Sequence, residues 1–198
     1  ANSAELVSKR LMQEMSFRRM SQSGSQGGAT MELVTGGAGF IGSHLVDALV
    51  AQGKSVRVLD NFSSGREEFL AHHNGGAGVE IVKADLLDYD AVKAAMEGID
   101  TVHHLAANPD IRLGTEVTDT DLKQGTVATY NVLEDMRHAG VERIPFSSSS
   151  ARYGEASVMP TPETYGTAKQ ISLSRAHKTA QGTLNHTTAG PSSTRGGE

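Results

Sequence analysis

Cysteine and tryptophan are both missing from this 198-residue sequence. Without thiols there is no disulfide framework, no thiolate metal site and no cysteine nucleophile, a pattern that fits a reducing compartment. Aromatic residues make up only 5% of the chain. A core must therefore come from Val, Ile, Leu, Ala and Met, the usual filling of an α/β sheet. No apolar run approaches the roughly 20 residues needed to cross a bilayer, and the N-terminus lacks the compact apolar segment of a secretory signal. The expectation is a soluble, cytoplasmic protein with no membrane partner. Basic residues are also in deficit, 18 Lys plus Arg against 23 Asp plus Glu, for a formal charge of -5. With no basic stripe, nucleic acid is not an expected partner. The length suits one domain with a fragment of a second.

What is present falls into three stretches. Residues 1–30 read as a polar extension, with a helical pattern from Leu6 to Met20 followed by Ser- and Gly-rich sequence. An Arg-bearing start of this kind also fits a transit peptide, against which Glu5 and Glu14 count. From Met31 short apolar runs alternate with helical patterns. Strands are predicted at 32–35, 55–60, 79–84, 101–106 and 141–147, and helices at 41–52, 90–97 and 122–139. Strand and helix alternating at this spacing predict an α/β fold, a Rossmann-type doubly wound parallel sheet, over residues 31–173. Residues 174–198 contain one Leu and no Val, Ile, Met or Phe. Such a tail buries too little apolar surface to offset its ordering entropy and is expected to be irregular.

The segment from Leu33 to Gly42 joins the first strand to the first helix, with glycines at 36, 39 and 42. Gly36 suits a tight turn, Gly39 a close approach of backbone to a pyrophosphate, and Gly42 close packing of helix on strand. Phe40 and Ile41 open the helix whose N-terminus faces the phosphates. Asp60 ends the next strand 18 residues after Gly42, where an acid binds the hydroxyl pair of an adenosine ribose. Because Asn61 follows rather than arginine, and a carboxylate repels a 2′-phosphate, the expected cofactor is NAD rather than NADP.

These residues resemble the extended short-chain dehydrogenase/reductase family, in particular its NAD-dependent nucleotide-sugar epimerases and dehydratases of the UDP-glucose 4-epimerase type. The likeness rests on Thr35–Gly42, on 59–65 (LDNFSSG), on Ala84-Asp85-Leu86, on His104-Leu105-Ala106-Ala107, on 128–134 (ATYNVLE) and on the serines of 147–150 ahead of Tyr153. It implies that Asp85 and Leu86 contact adenine and that Ala106 and Ala107 line the cofactor. It also implies a UDP-hexose substrate, dimerisation through a helix bearing a Tyr-x-x-x-Lys pair, and a C-terminal sugar-binding domain. Nothing after Lys178 resembles that domain except Gly190-Pro191, so it is expected to be missing. Ser149 matches the family's catalytic hydroxyl.

Two registers remain open for the tyrosine and lysine that the resemblance implies. Tyr165 and Lys169 stand at i and i+4 and would share a helix face. Alternatively, Ile171-Ser172-Leu173 matches the tripeptide that precedes the family pair, which makes Lys178 the lysine and puts Ser174 in the tyrosine's place. A serine hydroxyl is a far weaker acid than a phenol, so this register predicts a silent NAD-binding remnant rather than an epimerase. A dehydratase or decarboxylase of the same family is a further alternative. Pro145 is expected to interrupt the fifth strand by removing one ladder donor. His103 and His104, adjacent on a strand, point to opposite faces and cannot share an ion. His72 and His73 lack ligand spacing. All four are read as structural or solvated, with no metal expected.

Overall fold

The computed structural model describes residues 30–73, 76, 78–110, 117, 119–147 and 158–162. Its centre is a parallel four-stranded sheet of β1 (Met31–Thr35), β2 (Ser55–Asp60), β3 (Val79–Lys83) and β4 (Thr101–His104), in the order β3-β2-β1-β4. The chain steps outward from β1 to β3, then returns to place β4 on the other side of β1. This is the strand order of a Rossmann-type fold, and its switch point lies between β1 and β4.

Alternation along the strands sorts the core into two layers. Val34, Val56 and Val58 face α1 (Phe40–Ala51), which packs Leu45, Val46 and Leu49 against them and buries Gly42 one turn earlier on the same face. Those four positions follow the i, i+3, i+4, i+7 spacing of one helix face. On the other side Leu33, Leu59 and Val102 pack against α2 (Tyr89–Ala95) and α3 (Ala128–Ala139). Each aliphatic side chain fully buried here contributes about 1.5–3 kcal/mol. The guanidinium of Arg57 on β2 donates to the Ala95 and Glu97 carbonyls at 2.9 and 2.8 Å. A cation is favourable at that helix C-terminus, where the last carbonyls lack intrahelical partners. Gly140 closes α3 in the left-handed conformation, φ 72°.

The β2–β3 connection, for which no helix was expected, carries two single 3-10 turns, Glu67–Phe69 and Ala71–His73, with Leu70 buried between them. Two features depart from the expected pattern. The helix expected over 122–139 is π-wound from Asp121 to Val127 before it becomes α3. The strand expected at 141–147 forms only two isolated bridges, Thr101 with Arg143 and His104 with Phe146. Proline explains the last difference. The Pro145 carbonyl accepts from the His104 N–H at 3.1 Å, but residue 145 has no N–H to donate to the Val102 carbonyl, as a parallel ladder in this register requires, so the ladder does not propagate. Among the described residues no helix is long and apolar enough to cross a membrane.

Candidate functional site

A cavity of about 510 Å³ opens at the C-terminal ends of β1, β2 and β4. Its wall includes Gly36, Gly39, Phe40, Ile41, Gly42, Asp60, Asn61, Asp85, Leu86, Ala106 and Ala107, so all eleven residues marked from the sequence for a cofactor meet in one place. Ser63, Ser64, Phe69, Gln124 and Ser147 line it as well. The serines belong to motifs already visible in the sequence, whereas Phe69 and Gln124 carried no sequence signal. The volume lies within the range usual for small-molecule sites.

The loop after β1 is shaped by backbone contact. Gly36 has φ 71°, and a Cβ there would stand 2.8 Å from the Ala106 backbone. At Gly42 a Cβ would meet the Gly36 carbonyl oxygen at 2.2 Å and the Gly37 Cα at 2.7 Å. Gly42 thus lets the helix press on the turn itself, not on a strand as the sequence suggested. Contact with the sheet falls to Gly37, whose Cβ would lie 2.7 Å from a Val58 methyl. The sequence reading gave Gly37 no role.

The same loop delivers an open helix end. The α1 N-cap is Gly39, with no side-chain cap and no acidic residue in the first turn. The first N–H groups of a helix have no intrahelical acceptor, and they carry the positive end of its dipole. Phe40 and Ile41 are 57% and 58% exposed and form an apolar lip beside them.

Asp60 plays a part that its spacing did not disclose. Its Oδ2 accepts the Ala38 N–H at 2.9 Å and its Oδ1 accepts the Phe62 N–H at 2.8 Å. One carboxylate thereby holds the glycine turn to the end of β2. It also secures Phe62 at φ 58°, a conformation costing a non-glycine residue about 1–3 kcal/mol. Each carboxylate oxygen retains a further lone pair for ligand hydroxyls. Asn61 donates to Asp85 Oδ2 at 2.8 Å, and Asp85 Oδ1 accepts the Leu87 N–H at 2.9 Å, which joins the loops after β2 and β3.

Beneath the cavity, His104 links three elements. Thr129 gives its hydroxyl proton to the Gly125 carbonyl at 2.7 Å, so it receives the Nε2–H of His104 at 2.9 Å. Nδ1 then accepts from the Thr35 hydroxyl at 2.8 Å. His103 points to the opposite face, as alternation requires. Its Nε2 meets Glu32 at 3.0 Å in a buried pair. Burial pushes the Glu32 carboxyl up, but the hydrogen bond from His103 and the charges of His103, Lys54 and Arg143 outweigh it and leave the pKa below 4.5.

Ser149, Tyr165, Lys169, Ser174 and Lys178 lie outside the described residues. The domain bounds expected at 30 and 173 likewise adjoin or fall on undescribed segments.

Residues 32–190 match the family described as NAD dependent epimerase/dehydratase. The chain belongs to that family. A UDP-glucose 4-epimerase of Mycolicibacterium smegmatis is 37% identical over 151 residues, 76% of this chain and 47% of the relative. The UDP-glucuronic acid decarboxylase 4 of Arabidopsis thaliana is 36% identical over 161 residues, 76% of this chain and 34% of the relative. The crystal structure of Thermus thermophilus UDP-glucose 4-epimerase in complex with NAD aligns with TM-score 0.71 and 34% identity, covering 80% of this chain and 50% of the other. The chain therefore spans half the length, or less, of these family members.

Proposed function

We propose that the cavity binds NAD and that the chain forms the cofactor-binding part of a nucleotide-sugar epimerase of the UDP-glucose 4-epimerase kind. The observation that carries this reading is the uncapped α1 N-terminus opening on the same cavity as the Asp60 carboxylate. The helix end suits a pyrophosphate, because its orphan N–H groups and dipole favour negative charge. Asp60, braced by two backbone N–H groups, keeps lone pairs for the adenosine ribose hydroxyls. Its charge disfavours a 2′-phosphate and selects NAD over NADP. Asn61, Asp85 and Leu86 enclose the adenine side, while Ala106 and Ala107 border the nicotinamide half. When bound, NAD supplies a two-electron acceptor that takes a hydride from a sugar carbon and returns it to the opposite face.

The chain's own contribution to that reaction is proton transfer and positioning. In one assignment the Tyr165 phenolate, with Lys169 stabilising it, takes the sugar hydroxyl proton while Ser149 holds the same hydroxyl. In the other, Lys178 is the family lysine and Ser174 replaces the phenol. Loss of a positioned general base costs about 10²- to 10⁴-fold, which leaves a silent NAD-binding protein. The likeness to a UDP-glucuronic acid decarboxylase supports a second reading of the same cofactor site, as that of a decarboxylase or dehydratase. Calorimetry with NAD and NADP, followed by chromatography of UDP-galactose and UDP-glucuronate incubations, separates these outcomes. NAD binding at least tenfold tighter than NADP, with UDP-glucose formed from UDP-galactose, is the expected result. Absence of heat from NAD would overturn the cofactor assignment. Binding without turnover of either sugar would establish the silent form, and a UDP-pentose product the decarboxylase.

A further inference from the structure

Away from the cavity, the fold assembles three side chains that the sequence kept apart. Asp47 stands on α1, and His72 and His73 form the end of the second 3-10 turn of the β2–β3 connection. His72 Nε2 lies 2.8 Å and His73 Nε2 2.7 Å from the same oxygen, Asp47 Oδ1. The two rings sit 4.0 Å apart and are tilted by 41°. All three ligand atoms fall within 4.8 Å of one another. We propose that Asp47, His72 and His73 bind a single divalent first-row transition ion of the Zn²⁺ type.

The geometry needs only a small adjustment. Ligand atoms about 2.0–2.1 Å from a tetrahedral ion stand about 3.3 Å from one another. The two N···O distances therefore open by roughly half an ångström to admit it. Two imidazoles and a carboxylate select borderline ions such as Zn²⁺, Co²⁺ and Ni²⁺, whereas Mg²⁺ and Ca²⁺ prefer all-oxygen sets. His73 is largely buried while His72 and Asp47 are about half exposed, so the site has one firm wall and one face open to water. Water completes the coordination there. To ligate, each imidazole turns its Nε2 lone pair to the ion and keeps a proton on Nδ1. Asp47 ligates as its carboxylate. The ion would tie α1 to the connection whose Phe69 lines the cavity.

The test is titration of the full chain with ZnCl₂ by calorimetry and with CoCl₂ by visible absorption. One equivalent of Zn²⁺ should bind with micromolar Kd, and Co²⁺ should develop the d–d bands of a nitrogen- and oxygen-ligated ion. His72→Gln and Asp47→Asn should each weaken binding by about tenfold or more, the loss seen even when an outer partner of a ligand is removed. His138→Gln, in the last turn of α3 on the other face of the sheet, should bind as the parent does. Either variant binding like the parent, a loss no greater than in His138→Gln, or no saturable one-equivalent binding would overturn the proposal. Because the readout is metal alone, the result is independent of whether NAD binds.

Discussion

Helices α1 and α2 begin in opposite ways. At α2 the N-cap is Asp88, whose side chain accepts the Ala91 N–H, and Asp90 places a second acid in the first turn. At α1 the N-cap is a glycine without a side-chain acceptor, and no acid stands in the first turn. A capping aspartate is better than a glycine by only a few tenths of a kcal/mol, so α1 forgoes a small stabilisation that α2 takes. On the proposed reading the difference reserves a site. The helix end facing solvent is neutralised by its own sequence, and the one facing the cavity would be neutralised by the phosphates of the ligand.

That contrast can be broken at several points. The largest effect is expected from Gly42→Ala, because the new methyl meets a backbone oxygen at 2.2 Å and neither atom is free to swing away. The variant should lose about 3 kcal/mol of stability, at the upper end for overpacking, and all NAD binding, as read by denaturant melts and calorimetry. Gly39→Asp converts the α1 start into the α2 type. The backbone there is extended (φ -77°, ψ 171°) and suits a capping aspartate, while its Cβ would press on the Gly36 carbonyl oxygen at 3.2 Å, so the two effects offset and stability should change by less than about 0.5 kcal/mol. A carboxylate beside the pyrophosphate should nevertheless weaken NAD about 100-fold, less than the repulsion of two charges about 4 Å apart at a protein surface. An NAD affinity equal to the parent's would show that the phosphates sit elsewhere.

The converse variant, Asp88→Ala, strips the cap from α2. It should cost about 1 kcal/mol in a thermal melt while NAD affinity stays unchanged. The smallest effect is expected from acid titration of Glu32, near the opposite end of β1 from the cavity. Its folded pKa is depressed, so its contribution is complete above 4.5 and is lost as pH falls through the lower folded value. Melts recorded below pH 4.5 should therefore decline less steeply in Glu32→Gln than in the parent, with NAD binding at neutral pH unaffected.

The four strands and the glycine loop were legible because each is written in local sequence: apolar alternation, Gly-x-x-Gly-x-x-Gly, and an acid at a strand end. The opposed faces of His103 and His104 followed from strand periodicity alone. What escaped notice is three-dimensional. Asp60 could be placed at the cavity by spacing, but its grip on the Ala38 N–H joins residues 22 apart and appears only when β1 and β2 pair. Asp47 and His72 are separated by 25 positions and an intervening strand, so no ligand spacing announced them. Gly37 was overlooked because its need for smallness comes from Val58 on a neighbouring strand. Pro145 was the reverse case, a local signal whose effect on the ladder was visible in advance.

The imidazole of His104 donates toward α3 and accepts from β1, so no side chain with a single polar end can stand in for it. Phenylalanine would take the acceptor from the Thr35 hydroxyl and the donor from Thr129, and replacing both threonines by valine as well would deprive the Ala106 N–H and the Gly125 carbonyl of the hydroxyls they meet. Positions 35, 104 and 129 should therefore be inherited unchanged, as a set.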